Sequence, residues 1–243
     1  MKKIVTIFKN LLDTGSGFNR DVLDVLDRIR TGKSKEIVEQ IRQLPKEKSS
    51  ELKKALPSVC FNGTFKHRSK SGLVKHSGLM ICDIDGFESF EQAVEERNIA
   101  SQDKYTFATW VSPSGKGIKI LIKIPAEHEN HKAFFDSFAE YLNHPNWDVS
   151  NSDYSRTCFE SYDPDIYINQ DSDIWLERSE PDVEDIGTTK PIIALTSENR
   201  IISNLLEWWK KKYGHTKGSR NSNLYKLAIA FNDFGISKSE AEF

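Results

Sequence analysis

"GLMICDIDGF", residues 78–87, decides how the middle of this 243-residue chain is read. An apolar run from Leu79 to Cys82 meets two carboxylates, Asp83 and Asp85, before a glycine. Alternate residues of a strand share a face. Leu79, Ile81, Asp83 and Asp85 therefore line one side, and Met80, Cys82 and Ile84 the other. The first side begins apolar and ends acidic, so the strand leaves the core and presents paired carboxylates at its tip. Two ionised carboxylates so close repel, which raises one pKa unless a cation lies between them. Mg²⁺ and Mn²⁺ are hard ions that favour such oxygens. Taken alone, Asp85-Gly86 equally suits a tight turn. An EF-hand fits less well, because Gly86 stands where that loop needs a spacer before its third acidic ligand.

Working outward, "YTFATWVS" and "GIKILIKI" are short runs rich in β-branched and aromatic residues, so residues 59–124 read as strand-rich. Helices are predicted near 87–97 and over 128–143, where Phe134, Phe135, Phe138 and Leu142 share a core-facing stripe. Residues 1–15 open with alternation (Ile4, Thr6, Phe8) that suits an edge strand. From about Asn19 to Leu56 the spacing is helical: Val22, Val25, Leu26 and Ile29 mark one face, and Ile37, Val38, Ile41 and Leu44 another. The proline-bounded "PKEKSSELKKALP" reads as a short charged helix. The fold class expected is α+β, a mixed or antiparallel sheet flanked by helices. The domain plan is 1–176 for the core, 177–196 for an acidic linker ("ERSEPDVEDIGTTKP" lies in it) and 197–243 for a helical segment that stops short of its natural end.

Composition narrows the class. A formal net charge of −2 argues against a wholly basic surface but leaves room for a local basic groove. No apolar run is long enough for a membrane span. Cys60, Cys82 and Cys158 form no CxxC pair and read as reduced thiols of a cytoplasmic protein. The six histidines show no HExxH or comparable spacing; His76, just ahead of the carboxylate strand, is the notable one.

Two further segments carry chemistry. In "SPSGKGIKILIKI", residues 112–124, a small turn with Lys116 runs into a strand, where backbone N–H groups and a lysine suit a phosphate. It is no Walker A loop: Trp110 stands where that motif needs its first Gly, and Gly117 where it needs Ser or Thr. Lys119 breaks the otherwise apolar strand, and a plain hairpin with solvated lysines remains the alternative. "NWDVSNSDYSRTCFESYDPDIYIN", residues 146–169, places Asp148, Asp153 and Arg156 before a short strand and Ser161, Asp163 and Asp165 after it. Carboxylates around an arginine fit a meeting of metal and triphosphate, since Arg offers a planar donor fork; a surface Asp–Arg pair is the ordinary alternative.

In this order the segments resemble the archaeo-eukaryotic primase superfamily. The stretch "LKKALPSVCFNGTFKHRSKSGLVKHSGLMICDIDGF", with "SPSGKGIKIL" and "DYSRTCFESYDPDIYIN", is most similar to its VirE N-terminal-like primase-polymerases of phages and mobile elements. The resemblance spans about residues 20–176, and "GSRNSNLYKLAIAFNDFGISKSEAE" is similar, more weakly, to the helical segment that follows such cores. It implies a primase-polymerase core working as a DNA primase or DNA polymerase, with Mg²⁺ or Mn²⁺, nucleoside triphosphates, a single-stranded DNA template or primer-template, and a helicase as partner. By position it implies Asp83, Asp85 and Asp148 as metal ligands that would hold two divalent ions, with Asp153 as the substitute for Asp148. Ser114, Gly115, Gly117 and Lys119, helped by Lys116 and Arg156, would take the nucleotide. Lys119 stands where the family usually has His, which weakens or alters the implied activity. In "FNGTFKHR", Asn62, Phe65 and Arg68 would flank nucleotide or template, and Lys210, Lys211, Lys212, Lys217 and Arg220, with Trp208 and Trp209, would grip a single strand, although a solvated helix end with core tryptophans is the more ordinary reading of that stretch. Two other classes stand beside this one: a nucleotide-sugar transferase using Asp-x-Asp, and a non-catalytic nucleic-acid-binding module.

Overall fold

The structure, a computed structural model, describes residues 2–15, 17–179, 198–213, 220–233 and 236. The chain divides into two compact units, Met1–Asp182 and Val183–Phe243. In chain order the first unit opens with β1 (Ile4–Phe8), β2 (Phe18–Asp21), α1 (Val22–Thr31), α2 (Lys35–Gln43) and α3 (Lys46–Lys53). There follow β3 (Ser58–Cys60), β4 (Gly63–Phe65), β5 (Leu73–His76), β6 (Leu79–Asp85), α4 (Phe90–Ala100), β7 (Thr106–Val111) and β8 (Gly117–Lys123). It closes with α5 (His131–Leu142), β9 (Cys158–Phe159) and β10 (Tyr167–Ile168).

Two antiparallel four-stranded sheets result, ordered β2-β1-β3-β9 and β10-β7-β8-β6, besides the hairpin β4-β5. One core joins them: Val5, Ile7 and Val59 of the first sheet pack with Leu79, Ile81, Trp110 and Leu121 of the second and with Val22, Val25, Leu26 and Ile29 of α1. The other face of the second sheet, through Met80, Cys82, Ile84, Ile118, Ile120 and Ile122, packs against Ala93 of α4 and Phe134, Phe135 and Phe138 of α5. The alternation expected of β6 is therefore realised, with each of its faces serving a different core.

Several elements follow from local chemistry. The Asp21 carboxylate accepts the Leu23 N–H at 3.0 Å and caps α1, which ends at Gly32 in the left-handed region, φ 80°. The Ser89 hydroxyl accepts from Gln92 N–H at the start of α4. The first strand departs from expectation: β1 is not an edge. The polar, largely exposed β2 pairs on its outer side and is the edge, and the helical reading from Asn19 must begin at Val22 instead. At the start of the expected 177–196 linker, Ser137 Oγ–H donates to the Glu177 carbonyl and Ser179 N–H donates to the Ala133 carbonyl of α5; residues 180–196 lie outside the described residues.

The second unit holds α6 (Glu198–Lys212) and α7 (Arg220–Asp233) around Ile202, Trp209, Leu227 and Phe231. Among the described residues no helix is long and apolar enough to cross a membrane.

Candidate functional site

The carboxylates reach one place through strand register. Asp83 lies opposite Lys119 in the β6–β8 pair, and Lys119 lies opposite Trp110 in the β7–β8 pair. On the free edge of β6, residues 146–148 add a short antiparallel stretch. Asp85 N–H donates to Asn146 O at 3.2 Å, Asp148 N–H donates to Asp83 O at 3.0 Å, and Ile84 bridges Trp147. Directly opposed residues share a face. Asp148, Asp83, Lys119 and Trp110 thus form one row across the sheet, on the face turned to the first sheet, with Asp85 one step toward the tip. Ligand oxygens of Asp83, Asp85 and Asp148 all lie within 4.8 Å of one another. Asp153, the proposed substitute, stays outside this cluster: it accepts from Ser155 N–H and Oγ–H and pairs with Lys70 at 3.7 Å.

The row is electrostatically tight. The Lys119 ammonium bonds Asp83 Oδ2 and lies 3.9 Å from Asp85 Oδ2, with its side chain 10 % exposed. Burial alone would lower the Lys119 pKa, but Asp83 foremost, with Cys158 and Asp85, outweighs it and holds the ammonium above its ordinary value. Asp85 is pushed above the usual carboxylate range by burial; Lys119 opposes this, while Asp83 and Asp148 add to it. Asp148 is steadied by Ser150 N–H at 2.9 Å and Asn151 Nδ2–H at 3.2 Å.

A cleft of about 550 Å³ opens over this row. The three carboxylates and Lys119 share it with Lys53, Arg68, Arg156, Ser114, Leu11 and Phe159, among others. Its size falls in the range of small-molecule sites. Arg156 donates to Ser150 Oγ at 2.9 Å. Arg68 leaves its Nη1 buried without a hydrogen-bond partner, a donor suited to an anion in the cleft.

The turn before β8 divides its residues between two sides. Ser114 lines the cleft, its hydroxyl 3.0 Å from that of Ser112. Ser114, Gly115 and Lys116 line a second hollow with Arg42 and Phe90. Gly115 takes φ 72°, and the Lys116 carbonyl accepts Gly86 and Phe87 N–H. Gly117 serves by being small: a Cβ there would fall 1.9 Å from Asp85 Oδ1.

Other expected residues are structural. Asn62 is fully buried; its Nδ2–H donates to Tyr154 O, and its Oδ1 accepts Ile81 N–H, tying β6 to the Asp148 loop. Phe65 packs with Phe8 and Cys60. Asp163, downstream of the third segment, accepts two bonds from buried Arg97 and one from Val111 N–H. In the second unit, Trp209 is core and donates to Asn223 O at 2.6 Å. Lys210 and Lys211 are exposed in the last turn of α6, and Lys212 lies over the Trp208 and Tyr213 rings. Lys217 and the Arg220 side chain lie outside the described residues. Lys53, Leu11 and Phe159 of the cleft went unrecognised in the sequence, where Lys53 is one basic residue among several in a charged helix.

Comparison with known families gives one match: residues 51–168 are similar to the BT4734-like N-terminal domain family. No curated protein and no solved structure gives a match. The matched stretch, just under half of the chain, contains Asp83, Asp85, Lys119 and Asp148, so the whole row falls within it.

Proposed function

We propose that the cleft takes a nucleoside triphosphate with a divalent cation and transfers its nucleotidyl group to the 3′-hydroxyl of a nucleic-acid strand, as a primer-making or primer-extending enzyme on single-stranded DNA. The observation that carries this reading is the arrival of Asp148 beside Asp83 and Asp85, at the floor of a cleft that also holds Arg68, Arg156 and Lys119. The donor set is wholly carboxylate, which suits Mg²⁺ or Mn²⁺, and Asp83, Asp85 and Asp148 would hold the ion. Such an ion, when bound, lowers the pKa of an attacking hydroxyl and offsets charge on the leaving pyrophosphate. The chain's own groups do the rest. Arg68 and Arg156 offer forked donors to phosphate, and Arg68 has one donor still unpaired. Ser114 lines the same space, while Leu11 and Phe159 give apolar surface to base or sugar.

A primer-extension and de novo priming assay with Mg²⁺ and with Mn²⁺ tests the reading. Asp85→Asn is expected to lower incorporation at least about a hundredfold. Full incorporation by that variant removes Asp85 from the chemistry. A second reading is favoured by the ion pair of Lys119 with Asp83, which already neutralises one carboxylate with no metal: a nucleic-acid-binding module without catalysis. Single-stranded DNA binding with no incorporation under either metal selects it.

A further inference from the structure

Lys119 lies within the acidic cluster, and the strand register keeps it there. Position 119 is a central-strand position, flanked by Asp83 on β6 and by the fully buried Trp110 on β7. Its ammonium touches Asp83 and approaches Asp85, the two carboxylates that would share an ion with Asp148. Cys158, on the neighbouring wall, lines the same cleft.

Charge counting then limits what else fits. Three ionised carboxylates and one ammonium leave two negative charges, which one divalent cation balances. A second divalent cation would leave a net positive centre beside an ammonium whose side chain is only 10 % exposed, or would have to displace that ammonium from Asp83.

Resting on the metal reading above, we propose that Lys119 takes the place of one cation of a two-cation site, so that the cluster binds a single divalent ion. The chain thus carries a built-in cation that no chelator removes. Its ammonium holds Asp83 in place before any metal or nucleotide arrives.

Counting Mn²⁺ bound by the full chain tests this, with the metal alone and no nucleotide, read from the electron paramagnetic resonance signal of the free ion. One Mn²⁺ per chain is expected, abolished by Asp148→Asn. Lys119→Met and Lys119→Gln, the second keeping a donor for Asp83, are expected to admit a second Mn²⁺ and to bind the first at least about tenfold more tightly; Lys119→Arg is expected to stay at one. Two Mn²⁺ on the wild-type chain overturns the proposal while leaving the metal centre standing, as does an unchanged count and affinity in a folded Met or Gln variant. No Mn²⁺ on the wild-type chain removes the metal centre itself, and the inference with it.

Discussion

Gly117 has no side chain where the Asp85 carboxylate has taken the space. A Cβ would stand 1.9 Å from Asp85 Oδ1 and 2.8 Å from Ile84 O, so even alanine must push aside a strand backbone or the carboxylate. Gly117→Ala is therefore expected to weaken Mn²⁺ binding at least about tenfold and to cost about 1–3 kcal/mol of stability, read by metal titration and by denaturant unfolding. Metal affinity equal to wild type would show that Asp85 does not need the room. At this scale the sequence was partly legible. The face assignment of Asp83 and Asp85 follows from two-residue periodicity, whereas the burial of Lys119 does not, since a hairpin with solvated lysines suited the same stretch. The part played by Gly117 was not: its spacing suggested a backbone donor to phosphate, while its use depends on a neighbour thirty-two positions away in sequence, a separation no local pattern encodes.

The stretch 146–148 works as an element although it makes only one bridge. Trp147 points to the opposite face from Asp148 and packs on Phe135 and Phe138 of α5, with ring centroids 4.9 and 6.2 Å away. That apolar contact, with the bonds to Asp83 and Asp85, is what keeps Asp148 beside β6. Trp147→Ala is expected to cost about 3 kcal/mol and to weaken Mn²⁺ binding about as much as losing Asp148 does, because the ligand would no longer be held in place. Unfolding in denaturant and Mn²⁺ titration check the two effects, and intact metal affinity would mean the backbone bonds suffice. The helices and the β7–β8 hairpin were legible from periodicity and from the Ser-Gly turn. The choice of Asp148 over Asp153 was not, because both precede the same short strand and only the pairing with β6 separates them.

Across the whole first unit, two buried histidines join the end of β5 to the start of α5. Gly78 N–H donates to His76 Nδ1 at 3.1 Å, so neutral His76 carries its proton on Nε2 and donates to His131 Nδ1, also at 3.1 Å. Burial, foremost, lowers His76 to about 4, helped by His128 and Lys3 and opposed by Glu129. Burial likewise lowers His131 to about 3, helped by His76 and opposed by Asp153. Both folded values lie below the unfolded one near 6.5, so the unfolded chain takes up protons first as pH falls. The stability they allow is fully present above about pH 6.5 and is lost progressively toward pH 4, at roughly 2 kcal/mol per imidazole between pH 7 and pH 5. Urea midpoints measured across that range are expected to fall, and to fall less in His76→Gln. A flat profile would mean that the pair is solvated. His76 drew notice from its place before the carboxylate strand, but its partner lies 55 positions on, and the pair is structural.

The sequence by itself determined what repeats locally: the α+β class, the faces of β6, the aromatic stripe of α5 and the acidic and basic residue types needed at one place. Only the tertiary structure decided which of them meet. Register between strands far apart in the chain set Asp148 against Asp83, slid Lys119 between the carboxylates and turned Lys116 toward a second hollow. Side-chain periodicity is a property of neighbouring residues, whereas pairing across a sheet is fixed by how the two cores close, and that is a property of the whole chain.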